Sequence, residues 1–314
     1  MHKILFFLKL FRWHNLLMVV LIMYLFRYFI IQPLVTAAGF ELVLRGIDFF
    51  LLVLSVILIT AAGYVINDYF DLRIDRINKP ERVIVGRHVS RRSAIIAHWA
   101  LNSISVILGF YLAWRIKFWP LAPVIAMVPL LLWSYSFWLK RSFLIGNLTV
   151  ALLAGLLIPL VWIVECKAAD FDQGYQLYSA SWSFFVLVYS LFAFFSTLTR
   201  ELVKDMEDFT GDQRAGCKTL TVVAGLEKTR NVVIALLTFI ILSLAVYSVF
   251  LISDTHITLA AYFLVAVILP FAATLYFTCK AFGSLDFKLI QSLLKIAMLT
   301  GILSMMAQYL FIGS

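Results

Sequence analysis

Charged residues are scarce in this chain of 314 residues. Only 14% are Asp, Glu, Lys or Arg, whereas 63% are hydrophobic. A single soluble core cannot hide that much apolar side chain without exposing large apolar patches to water. The composition therefore excludes a soluble globular protein and predicts a polytopic membrane protein with no separate soluble domain.

Cysteine is scarce as well, and basic motifs typical of nucleic-acid binding are missing. The three cysteines, Cys166, Cys217 and Cys279, are scattered and lack the spacing of metal ligands. This excludes a disulfide framework and a zinc motif. The formal net charge of +9 is not gathered into a nucleic-acid-binding module. We therefore expect membrane lipids, including anionic ones, rather than nucleic acid as partners.

Apolar stretches long enough to cross the membrane recur along the whole chain. A helix needs about 20 apolar residues to cross about 30 Å of hydrocarbon. Nine stretches satisfy this: 13–33, 48–67, 94–114, 118–138, 143–165, 181–199, 230–252, 257–278 and 290–312. They predict an all-α fold with about nine transmembrane helices, in which residues 1–314 form a single transmembrane domain.

The basic residues between these stretches predict the orientation of the chain. Of the 26 Lys and Arg residues, only Arg27, Arg45, Arg115, Lys117 and Lys167 fall on one side. Cytoplasmic segments keep the positive excess. We therefore expect an integral protein of the cell inner membrane with a cytoplasmic N-terminus and an external C-terminus.

Two acidic clusters end the second and sixth stretches on the predicted cytoplasmic side. The first motif is Asn67-Asp68-Tyr69-Phe70-Asp71-Leu72-Arg73-Ile74-Asp75, and the second is Lys204-Asp205-Met206-Glu207-Asp208-Phe209-Thr210-Gly211-Asp212. They lie four stretches apart, and each runs into a basic, glycine-containing loop. This weak repetition predicts two pseudo-repeated four-helix bundles plus one further helix.

The spacing within each motif places its oxygen ligands on one helical face. Asn67, Asp71 and Asp75 are at i, i+4 and i+8, and the second motif spaces its aspartates at i, i+3 and i+7. Carboxylates so placed repel one another unless a cation binds them, and Mg²⁺ prefers such oxygens and bridges them to diphosphates. The predicted metal ligands are Asn67, Asp68, Asp71, Asp75, Asp205, Asp208 and Asp212. The alternative is that these are solvated helix ends paired with nearby basic residues.

Both motifs resemble the signatures of the UbiA superfamily of intramembrane prenyltransferases. The first reads Asn67-Asp68-x-x-Asp71-x-x-x-Asp75 followed by Asn78-x-Pro80-x-Arg82. The second reads Asp205-x-Glu207-Asp208-x-x-Gly211-Asp212-x-x-x-Gly216-x-x-Thr219-Leu220. The resemblance implies a nine-helix fold that binds a polyprenyl diphosphate through Mg²⁺ held by both motifs. It also implies transfer of the prenyl group to a lipid or amphiphilic acceptor.

Two further segments resemble the family. Arg12-Trp13-His14-Asn15 is similar to its N-terminal Arg-Pro-x-Asn, and residues 135–141 are similar to its Tyr and Lys-Arg segment. The resulting candidate catalytic residues are Asp71, Asp208, Lys140 and Tyr135. The candidate substrate-binding residues are Asn15, Arg82, Arg87, Lys204, Arg214 and Lys218. Cations such as Lys140, Lys204 and Arg214 suit a departing diphosphate, and the basic run 82–92 suits an acceptor phosphate.

The acceptor is the least determined part of the prediction. The form of the second motif, preceded by Arg200-Glu201, is most similar to the branch that transfers geranylgeranyl groups to geranylgeranylglycerol phosphate. Branches with aromatic acceptors, in quinone, chlorophyll or haem biosynthesis, share the first motif and stay as an alternative. A membrane transporter is the alternative from another class, but it would carry ionisable groups near the middle of its helices. Here Arg27 is nearly alone in such a position.

Overall fold

The computed structural model describes residues 2–37, 42, 44–168, 180–281 and 283–312, and it is helical through almost all of them. The helices are α1 (His2–Leu10), α2 (Trp13–Leu25), α3 (Gln32–Ala37), α4 (Gly46–Asn78), α5 (Arg91–Arg115), α6 (Leu121–Phe137), α7 (Ile145–Ala168), α8 (Ala180–Glu207), α9 (Phe209–Arg214), α10 (Leu220–Ala224), α11 (Leu226–Ser253), α12 (Ile257–Tyr262), α13 (Leu269–Lys280) and α14 (Ser284–Ile312). Two π-helical segments, Phe26–Ile31 and Phe263–Ile268, join α2 to α3 and α12 to α13. Short 3₁₀ turns cover Pro80–Arg82 and Leu139–Arg141.

Within the described residues, eight helical segments are long and apolar enough to cross a membrane. They are Trp13–Ala37, Gly46–Asn78, Arg91–Arg115, Ile145–Glu165, Ser183–Glu207, Leu226–Ser253, Ile257–Lys280 and Leu285–Leu310. The ninth expected span corresponds to the shorter apolar helix Leu121–Phe137, which contains Pro129. The prediction of an all-α integral membrane protein is therefore confirmed.

Helix α4 is much longer than the span predicted from hydropathy. It has 33 residues and so measures about 50 Å at 1.5 Å per residue, whereas hydrocarbon is about 30 Å thick. It ends at Asn78 because the residue before a proline disfavours the helical conformation, and Lys79 precedes Pro80 with φ −143°. The extension carries the whole first motif on a continuous helix.

The chain divides into two compact units. Unit one comprises the described residues of 1–23, 42–140 and 163–177, and unit two those of 24–41, 141–162 and 178–314. One boundary between the units therefore falls after Lys140. Another falls after Met23, within the first candidate span, Trp13–Ala37. Unit one contains α4, α5 and α6, and unit two contains the helices from α8 to α14.

In unit one, α4, α5 and α6 pack against one another through small and polar residues. A Cβ atom at Gly109 of α5 would lie 2.7 Å from Ile125 of α6, so only glycine permits this approach. The hydroxyls of Ser55 and Ser105 are 2.8 Å apart across α4 and α5. Next to the first motif, a small apolar cluster joins α1, α4 and the start of α5. It consists of Leu10, Val65, Val85, Val89 and Ala94.

Unit two has a larger apolar core, built between α8, α11, α13 and α14. Phe271, Leu237 and Leu294 are fully buried in it. A methyl group at Gly301 of α14 would clash with the ring of Phe192 of α8, which shows how closely these two helices approach. This packing fixes the end of α8, where the second motif begins.

Candidate active site

The first motif surrounds a lysine ammonium group with oxygen atoms. Asn67 and Asp71 are buried on one face of α4, and Nδ2 of Asn67 donates to Oδ2 of Asp71 at 2.8 Å. The ammonium of Lys140 donates to the same Asp71 oxygen and to Oδ1 of Asn67 at 3.3 Å. Lys140 reaches them because α6 ends at Phe137 and a 3₁₀ turn follows. Lys140, predicted from a separate segment, therefore meets two residues of the first motif at one buried point.

The third oxygen ligand predicted on this stretch, Asp68, is paired with the N-terminal segment. Oδ1 of Asp68 accepts a hydrogen bond from Nη2 of Arg12 at 2.8 Å. The guanidinium carbon of Arg12 lies 4.9 Å from the ring centroid of Tyr64, and Asn15 donates to the Tyr64 hydroxyl at 3.2 Å. Asn15, predicted to bind substrate, is therefore held beside the first motif.

The remaining candidates of unit one lie at the ends of α4, α6 and the following loop. Asp75 and Tyr135 are half-buried. Arg87 is exposed in a tight turn that Gly86 enters with φ +81°. The backbone of Arg82 closes the 3₁₀ turn that follows α4, and its side chain lies outside the described part of the chain.

The second motif does not lie on one continuous helix, which corrects the expectation of a single face for Asp205, Asp208 and Asp212. Helix α8 ends at Glu207, and Asp208 has φ −89° and ψ 2° before α9 begins. The carbonyl of Asp208 accepts from the N–H groups of both Gly211 and Asp212 at 3.1 Å and so starts a new turn.

The carboxylates of the second motif nevertheless have defined surroundings within unit two. Oδ2 of Asp205 accepts a hydrogen bond from Nδ2 of Asn147 on α7 at 2.8 Å. Asp212 is buried on α9. Nζ of Lys204 lies 3.6 Å from Glu201, a buried carboxylate that also accepts from Arg200 at 2.6 Å.

Two predicted substrate-binding residues lie at the two ends of the turn that follows α9. Arg214 and Lys218 are both exposed, on either side of Gly216 with φ +71°. The backbone N–H of Lys218 donates to the carbonyl of Arg141 at 2.8 Å, which anchors the turn. Their side chains are thus free of the apolar core of unit two.

The oxygen atoms of the first motif fit a hard cation. In the part of the chain that the structure describes, no three His, Cys, Asp or Glu side chains form a ready metal-binding group. However, Asn67 and Asp71 already direct two oxygens at one ammonium group, which shows that this point favours positive charge. Carboxylate and amide oxygens are also the ligands that Mg²⁺ takes in proteins.

Two contacts of the site involve residues that the sequence analysis did not select. Asn147 follows the Lys-Arg segment and belongs, with Gly146, to the same stretch that resembles the family, which is the signal that could have selected it. Tyr64 lies four residues before Asp68 and hence on the same face of α4, a spacing that gives a weak signal. Neither contact follows from local sequence, because each joins residues distant in the chain.

Comparison with known proteins assigns the family. The model of the UbiA prenyltransferase family matches residues 29–298. The chain belongs to this family. The digeranylgeranylglyceryl phosphate synthase of Methanothermobacter thermautotrophicus is 35% identical over 202 residues, which cover 62% of this chain and 63% of the relative. The enzyme of the same name from Methanopyrus kandleri is 34% identical over 254 residues, or 80% of this chain and 84% of the relative.

The extent of these matches varies. The chain spans 63% of the length of the relative from Methanothermobacter thermautotrophicus. It spans 60% of the length of a relative of the same name from Sulfurisphaera tokodaii. Among solved structures, a UbiA homologue from Archaeoglobus fulgidus bound to DMAPP and Mg²⁺ has a TM-score of 0.58 at 16% identity. That match covers 95% of this chain and 99% of the homologue. A UbiA homologue from Aeropyrum pernix gives 0.63 at 15% identity, over 93% and 98% of the two chains. At these identities the likeness shows a shared fold.

Proposed function

We propose that this protein transfers a geranylgeranyl group from geranylgeranyl diphosphate to geranylgeranylglyceryl phosphate in a Mg²⁺-dependent reaction. The observation that carries the proposal is the meeting of Asn67, Asp71 and Lys140 at one buried point of the first motif. The relatives named digeranylgeranylglyceryl phosphate synthase support the choice of substrates. Because candidate residues fall in both units, we infer that residues 1–314 work as one functional domain.

The oxygen donors of the two motifs are the proposed holders of the metal. They are Asn67, Asp68, Asp71, Asp75, Asp205, Asp208 and Asp212. Magnesium, when bound, supplies positive charge that holds a diphosphate and stabilises it as a leaving group. Solved UbiA homologues bound to Mg²⁺ with DMAPP or with GPP support this assignment.

Lys140 has the clearest role among the protein side chains. During transfer, the allylic C–O bond breaks and the electron pair leaves with the diphosphate. A hydroxyl oxygen of the acceptor then captures the carbocation, and its proton passes to the released diphosphate. A lysine ammonium beside Asp71 stabilises the charge that develops on the leaving group, and such stabilisation is a large catalytic term. Tyr135, five residues earlier, and Asn15, held beside the first motif through Tyr64, are the proposed neighbours of the reacting group.

Five further basic residues are proposed to bind the phosphates of the two substrates. Lys204, Arg214 and Lys218 are assigned to the diphosphate, and Arg82 and Arg87 to the acceptor phosphate. An acceptor without a phosphate, such as an aromatic ring in quinone biosynthesis, would not need Arg82 and Arg87. Mass spectrometry of products tests this choice: purified protein receives geranylgeranyl diphosphate, Mg²⁺ and either geranylgeranylglyceryl phosphate or 4-hydroxybenzoate. Product from 4-hydroxybenzoate alone would reject the lipid acceptor and retain prenyl transfer.

We infer from the distribution of basic residues that the protein lies in the cell inner membrane with both motifs cytoplasmic. Single cysteines in a cysteine-free background test this orientation. Exposed positions Glu81 and Ala215 should react with an impermeant maleimide only when the cytoplasmic side is open. Asp254, also exposed, should react from outside. The reverse pattern would invert the orientation.

A further inference from the structure

Tyr64 connects the N-terminal segment to the first motif. It lies one turn before Asp68 on α4 and is half-buried. Its hydroxyl accepts a hydrogen bond from Asn15 at 3.2 Å, and its ring lies 4.9 Å from the guanidinium carbon of Arg12. One side chain therefore contacts both Arg12, in the short segment that joins α1 to α2, and Asn15, near the start of α2.

The backbone of Arg12 shows that this segment is held in place. Arg12 has φ +52°, in the left-handed region that residues other than glycine rarely adopt. Such a conformation persists where surrounding contacts determine it. Its carbonyl accepts from the N–H of Asn15 at 2.8 Å at the start of α2, and its side chain extends between Tyr64 and Asp68. The strained turn thus points the guanidinium at the carboxylate.

The contact of Arg12 with Asp68 can orient the carboxylate. It joins Nη2 to Oδ1 at 2.8 Å, the length of a charge-assisted hydrogen bond. A half-exposed ion pair alone contributes little, but the ring of Tyr64 fixes the guanidinium through a cation–π contact. Groups that orient a ligand in this way typically change metal affinity when they are removed.

We propose that Tyr64 and Arg12 are positioning residues for Asp68: Tyr64 holds Arg12 and Asn15 on α4, and Arg12 sets the direction of the Asp68 carboxylate. The inference deepens the proposed function, because it rests on Asp68 being one of the metal ligands. It assigns to the N-terminal segment a role in metal affinity that neither the motif spacing nor the comparisons give it. Neither residue needs to touch the substrate for this role.

Metal binding without turnover tests the inference. Electron paramagnetic resonance can follow the binding of Mn²⁺ to purified full-length protein in the presence of inorganic diphosphate. We expect Tyr64→Leu and Arg12→Gln each to raise the half-saturating Mn²⁺ concentration about tenfold. Tyr64→Phe, which keeps the ring and loses the hydroxyl, should fall between these variants and the wild type. The double variant, Tyr64→Leu with Arg12→Gln, should bind Mn²⁺ as tightly as the single variant with the lower affinity, because the two residues act as one unit.

A second tyrosine provides the matched control. Tyr111 is exposed on α5, and its hydroxyl accepts from Arg115 at 3.4 Å. Tyr111→Leu should leave Mn²⁺ binding unchanged. If Tyr64→Leu does not fold, Arg12→Gln carries the test, because the Arg12 side chain is 34% exposed and its loss leaves no buried cavity.

The outcomes separate this inference from the proposed function. Three results would overturn the positioning role and leave the proposed function standing. They are wild-type Mn²⁺ affinity in Arg12→Gln and Tyr64→Leu, additive losses of affinity in the double variant, and an equal loss of affinity in Tyr111→Leu. A wild-type protein that binds no Mn²⁺ would overturn the metal assignment of the proposed function and this inference together.

Discussion

Lys140 donates a hydrogen bond to the carboxylate of Asp71, although 69 positions separate them in the sequence. Both side chains are largely removed from solvent, with 20% and 5% of their surface exposed. A buried carboxylate is costly without a cation beside it. The pair therefore marks a point of unit one that favours positive charge.

Replacing Lys140 tests its role in leaving-group departure. Lys140→Met keeps the length of the side chain and removes the charge, so we expect release of diphosphate to slow by about 100-fold. Lys140→Arg should retain part of the rate. Single-turnover release of diphosphate at saturating Mg²⁺ measures the effect, and Lys228→Met, at an exposed lysine on α11, is the control. An unchanged rate in Lys140→Met would remove Lys140 from the mechanism.

Asn147 should control metal use through Asp205. Asn147→Leu removes the amide that donates to Oδ2 of Asp205 at 2.8 Å. We expect the Mg²⁺ concentration for half-maximal activity to rise about 10-fold or more, because the carboxylate loses the group that orients it. Thr149→Val on the same helix loses only a hydroxyl bonded to the carbonyl of Ile145, and it should behave as wild type. Equal Mg²⁺ dependence in the two variants would contradict this role.

Gly109 should be important for stability rather than for chemistry. A side chain there would enter the space of Ile125 on α6, where even a Cβ atom would lie at 2.7 Å. We expect Gly109→Leu to destabilise the protein by about 1–3 kcal/mol. Thermal unfolding in detergent measures it, with Gly46→Leu as the control because nothing lies within 4 Å of a Cβ atom there. A lower Tm in the control alone would contradict the packing of α5 on α6.

The sequence predicts the spans well because the cost of placing a residue in hydrocarbon is local. The expected stretches correspond to eight candidate spans and to the shorter Leu121–Phe137. Local rules also explain the end of α4, since Pro80 follows closely. Helical spacing was a good guide for the first motif because α4 continues to Asn78.

Sequence spacing alone is a poorer guide where tertiary contacts or turns determine the position of a side chain. It placed Asp205, Asp208 and Asp212 on one face, but the break at Asp208 divides them between two helices. The hydrogen bond from Asn147 to Asp205 joins residues 58 positions apart, and the ion pair of Arg12 with Asp68 joins residues 56 apart. Such pairings depend on how helices pack, which periodicity does not encode.

The most direct test of the central claim measures Mg²⁺-dependent release of diphosphate from geranylgeranyl diphosphate by Asp71→Asn and Asp208→Asn, one variant for each motif. Asparagine keeps the shape of the side chain and removes the charge that the metal requires. Both folded variants should lose about 100-fold or more of the wild-type rate, and EDTA should reduce the wild type to the same level. Wild-type release by either folded variant, or by wild-type protein in EDTA, would contradict a metal-dependent prenyltransferase that needs both motifs.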